Sequence, residues 1–297
     1  EANSTVEVFI DNVSIGTVTA DGSGDWTYDH TGTTLADATY AVTATSTDAA
    51  GNTSSASSAF GVTVDTTGPV APSVVSISTD TGVTDGVTND NTLTFTGKAE
   101  ANSTVEVFID NVSIGTVAAD ASGDWTYDHT GTPLDDGDYA VTATSTDAAG
   151  TTSSASSAFD VTVDTTAPGA PSVVSITNDT GSSTSDGVTS DNQLQFTGTA
   201  EANSTVEVFI DGSSIGTATA DGNGDWTYDH TGTTLADATY AVTAKSTDAA
   251  GTTSSASSAF SVTVDTNAPG APSVVSITTD TGSSTSDGVT SDNQLQF

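Results

Sequence analysis

In Thr5–Asp11, Val6, Val8 and Ile10 alternate with Glu7, Phe9 and Asp11. A period of two is the mark of a half-buried strand. Asp11-Asn12-Val13-Ser14 is a turn signal, and a second short strand is expected over 15–20. Asp21-Gly22-Ser23-Gly24-Asp25 turns the chain again. Trp26, Tyr28 and His30 then fall on one face of a third predicted strand. After the turn at 35–40, Tyr40, Val42 and Ala44 alternate on the next strand, which ends at Asp48-Ala49-Ala50-Gly51-Asn52. A last strand carries Phe60, Val62 and Val64 inward and stops at Asp65. No stretch has a helical period.

The opening pattern is stated three times. EANSTVEVFID begins at Glu1, Glu100 and Glu201, so the copies are offset by 99 and 101 residues. A period of this size with strand-like content means a tandem array of whole domains. Pro69 with Pro72, Pro168 with Pro171, and Pro269 with Pro272 punctuate it. Proline cannot donate to a ladder and holds the chain extended, so these pairs mark domain boundaries and stiff linkers. Each linker is followed by a strand (Val74, Val75 and Ile77 in one copy), an Asp-rich loop and a further strand around Leu93 and Phe95. The loop runs over 80–91 in one copy and 179–192 in the next, and the two-residue difference in period lies there. About seven short strands per unit, with frequent turn signals, predict an all-β chain of tandem immunoglobulin-like antiparallel sandwiches in an extended rod. The expected organisation is a partial repeat at 1–66 that lacks the first two strands, whole repeats at 67–165 and 166–266, and the first two strands of a further repeat at 267–297. This reads as a window onto a longer array. Strand addition between copies of the chain is the alternative use of the last two strands.

Charge then narrows the function. Thirty-nine acidic residues, 33 of them Asp, face only Lys98 and Lys245, for a net charge of -37. Such a chain repels nucleic acid and anionic membranes. Asp is a turn residue and a hard-oxygen ligand for Ca2+, and here it clusters in predicted loops. Bound divalent cations and a saline habitat are the two explanations. There is no Cys, so the domains are neither disulfide-stapled nor thiol-dependent. No apolar run approaches the ~20 residues of a membrane-spanning helix.

VTVDTTAPGAPSV, DGVT, GTAEANSTVEVFIDG, GDWTYD and STDAAG together resemble the bacterial immunoglobulin-like repeats of giant type I-secreted adhesins and biofilm-associated surface proteins. The resemblance covers every repeat. It implies an extracellular, cell-surface stalk of tandem domains stiffened by Ca2+. The partners implied are neighbouring repeats and, in a fibre or bundle, other copies of the chain.

Two candidate metal sites follow. The turn at Asp147, the loop holding Glu100 and the linker after Asp65 are expected at one end of a unit. Asp65, Glu100 and Asp147 would then meet at a junction, repeated as Asp164, Glu201 and Asp248, and the resemblance strengthens this reading. The second candidate is the Asp-rich loop, with Asp80, Asp85 and Asp90 in one copy and Asp179, Asp186 and Asp191 in the next. It lacks the EF-hand spacing and its closing Glu. The bland reading is that all these side chains shape turns. Asp135, Asp136 and Asp138 are expected at the loop's pole of the middle unit and would add ligands there alone. Asn52 is Thr151 and Thr252 in the other copies, which argues against an essential Asn ligand.

His30, His129 and His230 supply one imidazole per unit. Asp29 and His30 point to opposite faces of one strand, so they are not an orienter and its base. The chain is read as no enzyme. Trp26, Trp125 and Trp226 are expected in the core. Phe9, Phe108 and Phe209 are expected on the outer face, either as lateral contacts or under a loop. The expected role is a structural segment of a surface fibre. The alternative is a binding module whose repeats grip glycans or another surface ligand such as ice.

Overall fold

The computed structural model describes residues 1–81, 85–275, 284, 288–291, 294 and 296. Among them the secondary structure is all β. The chain forms two compact units, Glu1–Ala167 with Ala249–Thr252, and Pro168–Asp248 with Thr253–Phe297.

The first unit opens with β1 (Thr5–Ile10), β2 (Val13–Thr19), β3 (Ala38–Thr47) and β4 (Phe60–Val64), paired as β2-β1-β3-β4. Asp11 and Asn12 close the first hairpin at φ 49° and 66°. Two successive positive φ values suit the right-handed twist of a hairpin, and Asn and Asp tolerate them best.

The next repeat has both halves of a sandwich. Its strands are β5 (Ser73–Ile77), β6 (Val87–Thr88), β7 (Thr94–Lys98), β8 (Thr104–Ile109), β9 (Val112–Ala118), β10 (Asp124–Asp128), β11 (Gly137–Thr146) and β12 (Phe159–Val163). One sheet runs β10-β7-β5 and the facing one β6-β12-β11-β8-β9. Val105, Val107, Val141, Ala143, Val161 and Val163 line the larger sheet, and Ile77, Phe95 and Trp125 face them. The second unit repeats this with β13 (Ser172–Ile176), β14 (Val188–Thr189), β15 (Gln195–Thr199), β16 (Thr205–Ile210), β17 (Ser213–Thr219), β18 (Asp225–Asp229), β19 (Ala238–Thr247) and β20 (Phe260–Val264). Its sheets are β13-β15-β18 and β14-β20-β19-β16-β17.

The tandem immunoglobulin-like sandwiches expected from the sequence are therefore present, with two corrections. Trp125 and Trp226 are core residues at 2% exposure each, but Trp26 is 42% exposed. The third predicted strand is also absent at 26–30, although it forms as β10 and β18. Both departures have one cause. β10 pairs with β7 and β18 with β15, and among the described residues no strand pairs with residues 26–30. Phe60, expected inward, is 71% exposed, whereas its equivalents Phe159 and Phe260 pack on the cores of their repeats. The second correction is β6 and β14, two-residue strands inside what reads as an uninterrupted loop. Phe9, Phe108 and Phe209 lie on the outer face as expected and are half-exposed there, with the Lys245 ammonium 6.0 Å above the Phe209 ring. The strand pair expected within 267–297 falls largely outside the described residues.

The Ser-rich run after each β11-type strand pairs without being a regular strand. Ser153 and Ser156 donate their N–H groups to the carbonyls of Ser145 and Ala143. Their hydroxyls accept the N–H groups of the same two residues, each at 3.0 Å. A period of three in serine thus replaces the period of two that marks a strand.

Two outcomes test this description. One tryptophan in three is open to solvent, so acrylamide should quench a red-shifted minority of the emission and leave the majority protected; uniform quenching would contradict the two sandwich cores. Gly97 lies under the Trp125 ring, and a Cβ there would sit 1.9 Å from the Ser73 carbonyl oxygen and 2.4 Å from the indole. Gly97→Ala should therefore cost at least ~1–3 kcal/mol, as overpacking does, read as a lower urea midpoint for that repeat.

Candidate functional site

The register decides which loops share an end of each sandwich. Thr104 pairs with Thr146, so the loop before β8, which holds Glu100, and the turn at Asp147 lie at the same end of the repeat. The incoming linker is there too: the Ser145 hydroxyl donates to the Val70 carbonyl at 3.5 Å. The Asp80–Asp90 loop and Asp164 lie at the opposite end, where β6 runs beside β12.

Most of the candidate carboxylates are occupied by the backbone of their own turns. Asp65 accepts the Thr67 N–H at 3.1 Å and Asp164 the Thr166 N–H at 3.0 Å. Asp80 accepts from Gly86 and Asp85 from Val87, each at 3.1 Å. Asp90 accepts from both the N–H and the hydroxyl of Thr92. In the second unit Asp179 holds Gly187, Asp186 holds Val188, and Asp191 holds Gln193 and the Asn178 amide. The backbone carbonyls of Glu100 and Glu201 accept from Ser103 and Ser204. Asp248 is placed at the start of the turn that follows β19. Among the described residues no three His, Asp or Glu side chains form a group able to hold a metal ion. Asp65, Glu100 and Asp147 are thus not gathered into one carboxylate cluster.

Three oxygens nevertheless stand out. Asp80 Oδ1, Asp179 Oδ1 and Asp147 Oδ2 are buried with no hydrogen-bond partner. A buried carboxylate oxygen without a donor or a cation is costly. For Asp147 the sequence difference at the turn explains the loss. In the first repeat Asn52 donates its side-chain amide to Asp48 Oδ2 at 2.8 Å. Thr151 stands in that place in the second repeat, and a hydroxyl on a shorter side chain does not replace the amide.

Sequence reasoning missed what Asp37, Asp136 and Asp237 do. Asp136 was expected as an extra ligand in one unit. Instead its Oδ1 accepts the N–H and hydroxyl of Thr165, and its Oδ2 the Thr166 hydroxyl at 2.7 Å. Asp37 holds Thr66 and Thr67 in the same way, and Asp237 holds Thr266 and Asn267. Each fastens the exit of its repeat to the loop before the β3-type strand. The repeated Asp-Thr-Thr or Asp-Thr-Asn after the last strand is the only sequence signal for this.

These donors also set the titration. The Thr165 N–H and the two Thr hydroxyls lower the pKa of Asp136, and the Thr130 hydroxyl and N–H lower that of Asp128. Burial lowers the pKa of His129, with Asp128 pulling the other way. The His129 ring lies 6.1 Å from Phe95 and 6.3 Å from Tyr127, so it packs on aromatic rings.

The model of the bacterial Ig-like domain family matches residues 1–66, 69–165 and 167–266, and the chain belongs to that family. No curated protein is significantly similar to it. Among solved structures, it is similar to the fibronectin(III)-like modules of Clostridium thermocellum CbhA, at 16% identity over 63% of this chain and 93% of that one, with a TM-score of 0.38. It is also similar to a tetra-tandem repeat from the extending region of a large adhesion protein, at 20% identity over 90% and 68%, with a TM-score of 0.31. Similarity to the BSP domain of a biofilm-associated protein is 15% over 89% and 57%, with a TM-score of 0.25.

The pH dependence has a definite sign. A His whose pKa is lowered by folding favours the neutral form, so its contribution is full above 6.5 and is lost as pH falls through the depressed value. The lowered Asp residues contribute fully above 3.8 and lose that contribution as pH falls through their lower values. Both act in one direction, so the urea midpoint should fall from pH 7 to 5 and again below 4. His129→Gln should flatten the first step in its repeat; a midpoint that rises on acidification would contradict both assignments.

Proposed function

We propose that this chain is a structural segment of a repetitive extracellular adhesin or surface fibre, and that Ca2+ stabilises its repeats. One observation carries the structural reading. The two full repeats carry the same strands, core and turn bonds at equivalent positions, so among the described residues these features belong to the building block and mark no unique reaction centre. A segment of this kind extends by adding copies, each of which closes its own core. It acts as a spacer and is not an enzyme.

The Ca2+ part rests on the buried, unpartnered oxygens of Asp80, Asp147 and Asp179. Ca2+ accepts six to eight oxygens and takes backbone carbonyls and water as readily as carboxylates, so a site does not need three acidic side chains. A bound cation would supply the missing partner and offset part of the net charge of -37. Asp80 with Asp85 and Asp90, and Asp179 with Asp186 and Asp191, are the proposed loop ligands. Asp147 and Glu100 are proposed at the other end of the repeat, with Asp65 from the linker, and Asp248 and Glu201 are the equivalents of the first two. Cations at both ends would fix the linkers and stiffen the segment.

Calcium titration with urea unfolding at matched ionic strength tests this. At a hundred times its Kd, a ligand that binds only the folded state adds about 2.7 kcal/mol. Ca2+ should raise the unfolding midpoint, and Asp80→Asn should shrink that gain, read for each variant as the difference between its midpoints with calcium and with chelator. Scattering profiles that are identical with calcium and with chelator, together with no heat of binding, would overturn the calcium proposal and leave the charge to diffuse counterions. Antibodies to the repeats should label intact cells of the source; labelling only after lysis would overturn the surface role.

A further inference from the structure

Among the described residues every ladder is antiparallel except two. β6 runs parallel to β12, and β14 runs parallel to β20. In the first case the carbonyls of Gly86 and Thr88 accept the N–H groups of Thr162 and Asp164, each at 2.9 Å. In the second, Gly187 and Thr189 accept from Thr263 and Asp265 at 2.8 and 2.9 Å.

A two-residue strand cannot be held by its ladder alone, and each is fixed from its other side. Thr88 is fully buried, and its hydroxyl donates to the Thr79 carbonyl at 2.7 Å and accepts the Asp90 N–H at 3.0 Å. Asp80 takes the Gly86 N–H and Asp85 the Val87 N–H. The second unit repeats every bond: Thr189 joins the Asn178 carbonyl and the Asp191 N–H, Asp179 takes Gly187, and Asp186 takes Val188. The loop between them differs in length. Asp80 lies six residues before Gly86, and Asp179 lies eight before Gly187. The strand and its anchors are thus maintained while the connecting loop changes. Gly86 and Gly187 have φ values of 87° and 73°, and a Cβ would come within 2.5 Å of the Asp160 carbonyl or 2.4 Å of the Ser261 carbonyl. Only glycine lets the loop press this closely on the terminal strand.

Direction gives the pair its meaning. Tension on the C-terminal side of a repeat pulls β12 along its own axis, because Asp164 and the next linker follow it directly. Tension on the N-terminal side reaches β5 and then the segment carrying β6. In a parallel pair these two pulls slide one strand along the other. All crossing hydrogen bonds are then loaded together, whereas a hairpin peeled from its end loses them one at a time. We infer that β6 on β12, and β14 on β20, are shear latches that set the load each repeat bears before it unfolds. Their use in the organism rests on the surface-fibre reading, but the latch is a property of each repeat and is measured on the isolated chain.

The test is to stretch the full chain between its two ends in a single-molecule force instrument. Two high-force ruptures are expected, each followed by a contour gain of about 30 nm, since a hundred freed residues span ~3.6 Å apiece less the folded length. Gly86→Ala should abolish one high-force rupture and leave the other, and adding Gly187→Ala should abolish both. Thr88→Val keeps the buried volume but strands the Thr79 carbonyl and the Asp90 N–H, so it should weaken one rupture; Thr88→Ser should restore it. A urea series on the same variants separates a latch from a general loss of fold, because the latch predicts a larger fractional loss in rupture force than in unfolding midpoint. If Thr88→Val and Gly86→Ala rupture at the wild-type force, or if force and midpoint fall by the same fraction, the inference is overturned. Cell-surface labelling fails or succeeds independently of this result.

Discussion

The fold depends on closing one sheet over another. A sheet that is apolar on one face must bury it, and the second layer does this. The strands β7 and β15 are the hinge of that closure. Each brings Phe95 or Phe196 into the core, carries the glycine that admits a tryptophan ring, and gives β10 or β18 a partner. Among the described residues no such strand lies beside residues 26–30. The sequence around Trp26 is almost the same as around Trp125, yet no strand forms there and the indole faces solvent. Tertiary context decides whether this stretch is a strand, as is usual for β structure.

Asp carries most of the remaining organisation. It caps turns by accepting N–H groups two to four residues ahead, and it fastens loops that are far apart in sequence, as Asp136 does at Thr165 and Thr166. Hydrogen bonds to ionised groups are among the stronger ones. The same side chains therefore shape the turns and create the acidic surface. The few oxygens left buried and unpartnered are the exceptions, and the proposal that a cation completes them starts there.

The candidate sites were only partly legible. Asp80, Asp147 and Asp179 were singled out by residue type and clustering, and they are the ones with buried, unpartnered oxygens. Nothing local distinguishes them from Asp65 or Asp85, whose donors lie two residues away. Burial of a single oxygen depends on what packs over it, which no local pattern encodes. The role of Asp136 was misjudged because its partners lie 29 and 30 residues on.

The alternation of Val6, Val8 and Ile10, the turn residues and the threefold recurrence determined the domain type and its tandem order. Those features are local, and each of the two full repeats closes with its own residues. The tertiary structure alone decided which tryptophans are buried and that β6 and β14 exist at all. A two-residue strand has no period to detect, since it forms only because buried hydroxyls and Asp carboxylates hold it against a strand that arrives some seventy residues later.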